Sequence, residues 1–271
     1  MEFRTKVNIE PSSWKIKPAQ RLFFIGSCFA ESIGSKFRDE QFPTIINPYG
    51  VMYNPASILH SIEQHCKTDD FKPDVAFITL GTNHVYVLKE TGEIVDNCQK
   101  RPQSLFDERM LSVEACTDYL QQAVQCLLRC NPNMHILVTV SPIRYAKYGF
   151  HGSQLSKAVL LLAAESLAQR PQVDYFPAYE LVMDELRDYR FYKEDMLHPS
   201  PQAVEYIWER FAETYFHKDV FTMLNEWKPI KEALHHKPFN PDSDAYKAFM
   251  ALTKEKLQAF MKKWKGINSP T

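Results

Sequence analysis

Four short stretches of this sequence carry residue types that can do chemistry together. Ser27, in Ile25-Gly26-Ser27-Cys28-Phe29-Ala30-Glu31, follows an apolar run and precedes a helical one. A serine there can cap the helix by accepting from a free amide. It can also be a nucleophile, because the same turn offers backbone amides and a positive dipole end where an oxyanion would form. Such a serine needs a base, and Asp195-Met196-Leu197-His198-Pro199-Ser200 offers one. Imidazole serves as a general base near neutral pH, best when a carboxylate fixes its tautomer. The spacing lets Asp195 and His198 meet within one turn, although Asp-x-x-His recurs by chance in roughly a third of chains this long. Asn83, in Gly81-Thr82-Asn83-His84, can donate its amide to an oxyanion or simply shape a turn. Gly50, closing Asn47-Pro48-Tyr49-Gly50, lets the backbone approach a substrate and offer its N–H; the stretch is equally an ordinary turn signal.

Apolar runs alternating with helical periodicity must position these residues. Strands are expected at Leu22–Ile25, Val75–Leu80, His135–Val140 and Val173–Phe176, and a hairpin around Thr91-Gly92. Helices are expected from Ser27 to about Phe37, from Pro55 with Asn54 as cap, from Ser112 to about Arg129, from Ser153 to Arg170, from Pro177 to about Tyr189, and after Ser200-Pro201. Near-continuous apolar strands separated by helices imply a parallel sheet covered on both faces. Ligands of such sheets bind beyond the carboxyl ends of the strands, which selects the loops starting at Gly26, Gly81 and Ser141. From about Asp219 the composition changes to Trp227-Lys228-Pro229, His235-His236-Lys237-Pro238 and a charged amphipathic stretch over 242–265. This tail (219–271) is expected to pack as helices onto the sheet domain (1–218) or against a second copy of the chain.

The order of the motifs resembles the SGNH (GDSL-type) hydrolases: a Ser after the first strand, then a Gly, then Gly-x-Asn, then Asp-x-x-His. Gly26-Ser27-Cys28-Phe29-Ala30 spells the signature for which the GSCFA family is named. Asn97-Cys98, Ser141-Pro142-Ile143-Arg144, Ser156-Lys157-Ala158 and Asp188-Tyr189-Arg190-Phe191-Tyr192 extend the similarity over about 20–215. The resemblance implies a three-layer α/β/α sandwich with a flavodoxin-like parallel sheet, plus the helical C-terminal extension. It implies Ser27 as nucleophile, His198 as base and Asp195 as its orienting partner. The oxyanion donors it implies are the Ser27 N–H, the Gly50 N–H and the Asn83 side chain. Two positions depart from the wider pattern, Gly26 and His84, where SGNH proteins usually carry Asp. Arg144, after a strand end, is a candidate for binding an anionic or polyol substrate, or for a plain surface salt bridge. Cys28, in the first helical turn, is expected to be structural.

The chain has 271 residues, 45% hydrophobic and 13% aromatic, enough to bury a large core. Lysine plus arginine number 32 against 33 acids, so no whole-molecule basic field attracts nucleic acid or anionic lipid. No apolar run reaches the roughly 20 residues of a membrane span, and Met1-Glu2-Phe3-Arg4-Thr5-Lys6 does not open a signal peptide. A cytoplasmic protein is expected. Cys28, Cys66, Cys98, Cys116, Cys126 and Cys130 show no CxxC pair, and Cys126 and Cys130 read as core thiols of one helix. His60 with His65, or His235 with His236, lacks a completing ligand set, so neither metal nor cofactor is expected. The leading expectation is a serine esterase or deacylase acting through an acyl-enzyme on an O-acylated, carbohydrate-like substrate. An acyltransferase with the same residues differs only in the acceptor. A catalytically silent binding protein on the same fold is the alternative from another class. A nucleotide-binding protein is disfavoured by the absence of GxxxxGK[ST] and GxGxxG in a chain with 8 glycines.

Overall fold

The strongest strand and helix signals of the sequence recur in the computed structural model, which describes residues 1, 4–67 and 72–268. In chain order the elements begin β1 (Leu22–Gly26), α1 (Cys28–Asp39), β2 (Thr44–Ile46), α2 (Pro55–His65) and β3 (Val75–Leu80). A small insertion follows, β4 (His84–Leu88), β5 (Ile94–Val95) and β6 (Phe106–Met110). Then come α3 (Val113–Cys130), β7 (His135–Val140), α4 (Gly149–Ala168), β8 (Val173–Tyr175) and α5 (Ala178–Glu180), and finally α6 (Pro201–Tyr215), α7 (Lys218–His235) and α8 (Asp244–Lys263). Helix starts carry the caps expected of them. The Ser27, Asn54, Ser112 and Ser200 side chains accept from Phe29, Ser57, Ala115 and Ala203 N–H, and Pro55 and Pro201 open their helices.

Five strands pair in parallel in the order β2-β1-β3-β7-β8. Successive residues feed opposite faces. Leu22, Phe24, Val75, Phe77 and Leu137 join one core with Phe37 of α1 and Ile207 and Phe211 of α6. Phe23, Ile25, Ala76, Ile78, Ile136 and Val138 join another with α2, α3 and α4. The result is a doubly covered α/β/α sandwich, as expected. Strand order reverses between β1 and β3, so the crevice favoured for ligands opens where Gly26 and Gly81 leave the sheet.

Several elements differ from their sequence signals, and the short edge strand β2 was not among the expected strands. The hairpin at Thr91-Gly92 forms, but β4 also pairs antiparallel with β6, making a separate three-stranded sheet. Phe106-Asp107-Glu108-Arg109-Met110 is too charged to announce a strand, because most of its side chains face solvent. Helix α4 starts at Gly149, four residues early, since Ser153 accepts from Tyr145 N–H instead of capping. The helix expected from Pro177 to Tyr189 is α5 followed by a π-helical turn, Leu181–Glu185, and a separate 3-10 turn, Tyr189–Phe191. At the end of the wide turn Glu185 is buried, accepting from Val7 N–H (3.0 Å) and lying 3.5 Å from the Arg210 guanidinium. Cys126 is buried as expected, whereas Cys130, at the end of α3, is partly exposed.

Helix α7 continues through Pro229 and buries Trp227, whose indole N–H donates to Asp39 O at the end of α1 (2.9 Å). Phe260 of α8 stacks on Trp227, and Asn268 donates to the carbonyls of Gln41 and Phe42. Among the described residues no helix is long and apolar enough to cross a membrane.

Candidate active site

Ser27 sits at the switch point, between the end of β1 and the start of α1, and is completely buried. Its Oγ accepts from Phe29 N–H (3.2 Å) and shares a hydrogen bond with Thr79 Oγ1 (3.0 Å). Its own N–H donates to Thr79 O and Oγ1 (3.1 and 2.9 Å). This close approach depends on Gly26, whose φ is +130°. A Cβ there would stand 2.1 Å from Thr79 O.

The Asp195–His198 turn lies just before α6. Asp195 Oδ1 accepts from the N–H groups of Leu197 (2.8 Å) and His198 (3.0 Å), and Oδ2 accepts from His198 Nδ1 (2.6 Å). Met196 takes φ +57° to close the loop. The backbone amides of His198 and Leu197, then the imidazole, draw the Asp195 carboxyl down to about 2, so it is ionised at neutral pH. An ionised partner makes Nδ1 the donor and leaves Nε2 free to accept a proton. Lys193 N–H donates to His198 O, and Arg144 reaches the same turn through its N–H to Leu197 O (3.0 Å) and Nη1 to Met196 O (2.9 Å). No hydrogen bond joins His198 to Ser27. The dyad and the serine are formed separately.

The three expected oxyanion donors are engaged elsewhere. The Ser27 N–H is held by Thr79, the Gly50 N–H donates to Asn47 O (2.9 Å), and Asn83 Nδ2 donates to Leu111 O (2.7 Å). Among the described residues, buried donors around the Ser27 turn without a partner include Asn47 Nδ2, the Tyr145 hydroxyl and the hydroxyl of Thr139, which pairs in register with Thr79. Asn47 Oδ1 accepts from Gly26 N–H (2.9 Å), which fixes the amide beside the serine turn. The Tyr145 hydroxyl lies over Gly81, 2.5 Å from where a Cβ would stand, with its ring edge-on to Tyr53. Burial pushes the Tyr145 hydroxyl well above its ordinary value, which keeps it a donor. Cys28 is partly exposed, with Sγ 3.5 Å from the Tyr53 hydroxyl.

Lys157 is the functional candidate to which residue-level reasoning gave no role. Fully buried on α4, its ammonium donates to Gly81 O and Ser141 O (2.7 Å each), bridging the ends of β3 and β7. Burial pushes its pKa down to about 7. Its spacing was the available signal: Lys157 falls three and seven residues before the buried Leu160 and Ala164. Among the described residues no group of three His, Cys, Asp or Glu side chains could hold a metal ion.

A family model described as GSCFA family matches residues 21–74 and 71–211, which is most of the chain. The chain belongs to the GSCFA family. A second model, GSCFA domain protein, C-terminal domain, matches residues 227–269 of this GSCFA protein. No curated protein matches it in sequence. Among solved structures it is similar to an acetylxylan esterase from Geobacillus stearothermophilus, in a catalytic-mutant form, at 13% identity and TM-score 0.48, covering 75% of this chain and 97% of that one. It is similar to a family 3 carbohydrate esterase from Clostridium thermocellum at 13% identity and TM-score 0.43, covering 77% and 98%. A GDSL-like lipase from Bacteroides thetaiotaomicron gives 14% identity and TM-score 0.46, covering 75% and 89%. In this GSCFA chain each signature residue has a distinct environment. Gly26 admits Thr79, Ser27 caps α1, Cys28 meets Tyr53, and Phe29 and Ala30 enter the core.

Proposed function

We propose that this GSCFA protein is a serine esterase or deacylase of SGNH type. The observation that carries the reading is the Asp195–His198 pair, 2.6 Å apart with Nε2 free, on the same rim of the sandwich that holds Ser27 at its switch point. His198 Nε2 takes the Ser27 proton as Oγ attacks the ester carbonyl, and returns it to the departing alcohol. Water, deprotonated by His198, then releases the acid. The oxyanion is assigned to Asn47 Nδ2 and the Tyr145 hydroxyl, because both are buried donors without an internal partner. An O-acylated carbohydrate is the substrate class carried over from the SGNH resemblance. Reaction requires the buried Ser27 hydroxyl to leave Thr79 and become accessible to the ester.

The complete burial of Ser27 favours a second reading, a catalytically silent binding protein in which Ser27 serves only as the α1 cap. Fluorophosphonate labelling and p-nitrophenyl acetate turnover separate the two, with wild type, Ser27→Ala, Cys28→Ala and His198→Ala compared. The esterase reading expects labelling lost in Ser27→Ala, retained in Cys28→Ala, and slowed by several orders of magnitude in His198→Ala. A folded protein that neither labels nor turns over is the silent form.

A further inference from the structure

Three stretches of the GSCFA resemblance have no part in the serine chemistry: Ser141–Arg144, Ser156-Lys157 and Asp188–Tyr192. They meet around one cavity of about 310 Å³ beside the Asp195–His198 turn. Arg144, Lys157 and Arg187 all line it. Among the described residues none of these cations is paired with a carboxylate. Arg144 rests on Met196 O and over the Phe150 and Tyr192 rings, at 4.0 and 5.4 Å. Lys157 has only two carbonyls and the faces of Tyr145 and Tyr179, at 5.1 and 6.0 Å. Arg187 is exposed at the rim without an ion pair. The one acid of the lining, Asp188, is taken by Arg190 at 3.5 Å. Two arginines without a carboxylate partner thus share one pocket with a buried lysine that burial pushes down to a pKa of about 7. Burial favours the neutral amine of Lys157, and an anion in the pocket would favour its protonated form beside the two arginines.

We propose that this cavity binds a small ring-bearing anion, a sugar carrying a phosphate or carboxylate group. Arg144 and Arg187 fix the charged group, and Tyr179, Tyr189 and Tyr192 provide flat apolar faces for the ring. The volume lies at the lower end of ligand pockets, enough for one ring. Arg144 joins the cavity to the His198 turn, so a ligand here is the alcohol part of an ester presented to Ser27. That last link rests on the esterase reading; the binding itself does not.

The test is isothermal titration calorimetry on Ser27→Ala with glucose 6-phosphate, glucuronate, inorganic phosphate and glucose, repeated with Arg144→Gln and Arg187→Gln added. Saturation by either anionic sugar with Kd below about 1 mM, no saturation by glucose, and at least a tenfold loss in each arginine variant are expected. The two anionic sugars decide between phosphate and carboxylate. Equal binding of glucose, unchanged affinity in both variants, or no anionic binding up to about 10 mM overturns the proposal. Binding without esterase turnover would overturn only the catalytic reading, and turnover without anionic binding only the pocket.

Discussion

Gly26, Tyr145 and Asp195 each make a prediction that their immediate surroundings decide. Gly26→Ala drives a methyl into Thr79 O at a backbone angle that disfavours any side chain, and should cost more than about 3 kcal/mol in urea unfolding or prevent soluble expression. Tyr145→Phe removes a buried hydroxyl without a partner among the described residues, so a purely structural role predicts an equal or higher Tm and an unchanged rate. The oxyanion role predicts the same Tm behaviour with kcat/KM down by roughly a hundredfold. Asp195→Asn replaces an acceptor of three hydrogen bonds with a group that can orient the imidazole wrongly, and should lower kcat by roughly 10²–10⁴. Because Asp195 stays ionised down to about pH 2, a rate that rises with pH in wild type above pH 4 does not report this carboxyl. The dyad was legible in the sequence because both partners lie in one short turn. The partners of Asn83 were not, since an amide's partner is chosen by chain packing: Asn83 meets Leu111, which lies 28 residues on.

Elements follow the same division. Strands β1, β3 and β7 were readable because burial on both faces leaves uninterrupted apolar runs, and helix starts because caps are local. Strand β6 was unreadable because it pairs on one edge while its charges stay in water. The π-helical turn was unreadable because Glu185 finds its partners in Val7 and Arg210, distant in sequence. On α4, Lys157 yields a pH prediction. Its folded pKa of about 7 lies below the ordinary 10.5, so between these values the unfolded chain binds more protons and stability rises with pH. The slope approaches about 1.4 kcal/mol per pH unit. The stability difference between wild type and Lys157→Met, followed by chemical unfolding, should therefore move in favour of wild type from about pH 7 to about pH 10. A difference independent of pH would show that the ammonium is not buried.

At the scale of the whole molecule, the tail helices complete the core around α1. Trp227 is buried against Asp39 and Phe260, so Trp227→Ala should cost about 3–5 kcal/mol with the urea m-value preserved. The last described residue, Asn268, donates to the carbonyls of Gln41 and Phe42, in the turn that follows α1. That contact has a consequence in time. A ribosome adding about 5–20 residues per second needs roughly 10–50 s to travel from residue 42 to residue 268. Through that interval the turn beside the first strand waits for its final partner. Arrested nascent chains ending shortly after His217 should therefore be cut by protease in the Asp39–Phe42 turn, where the released full-length chain resists.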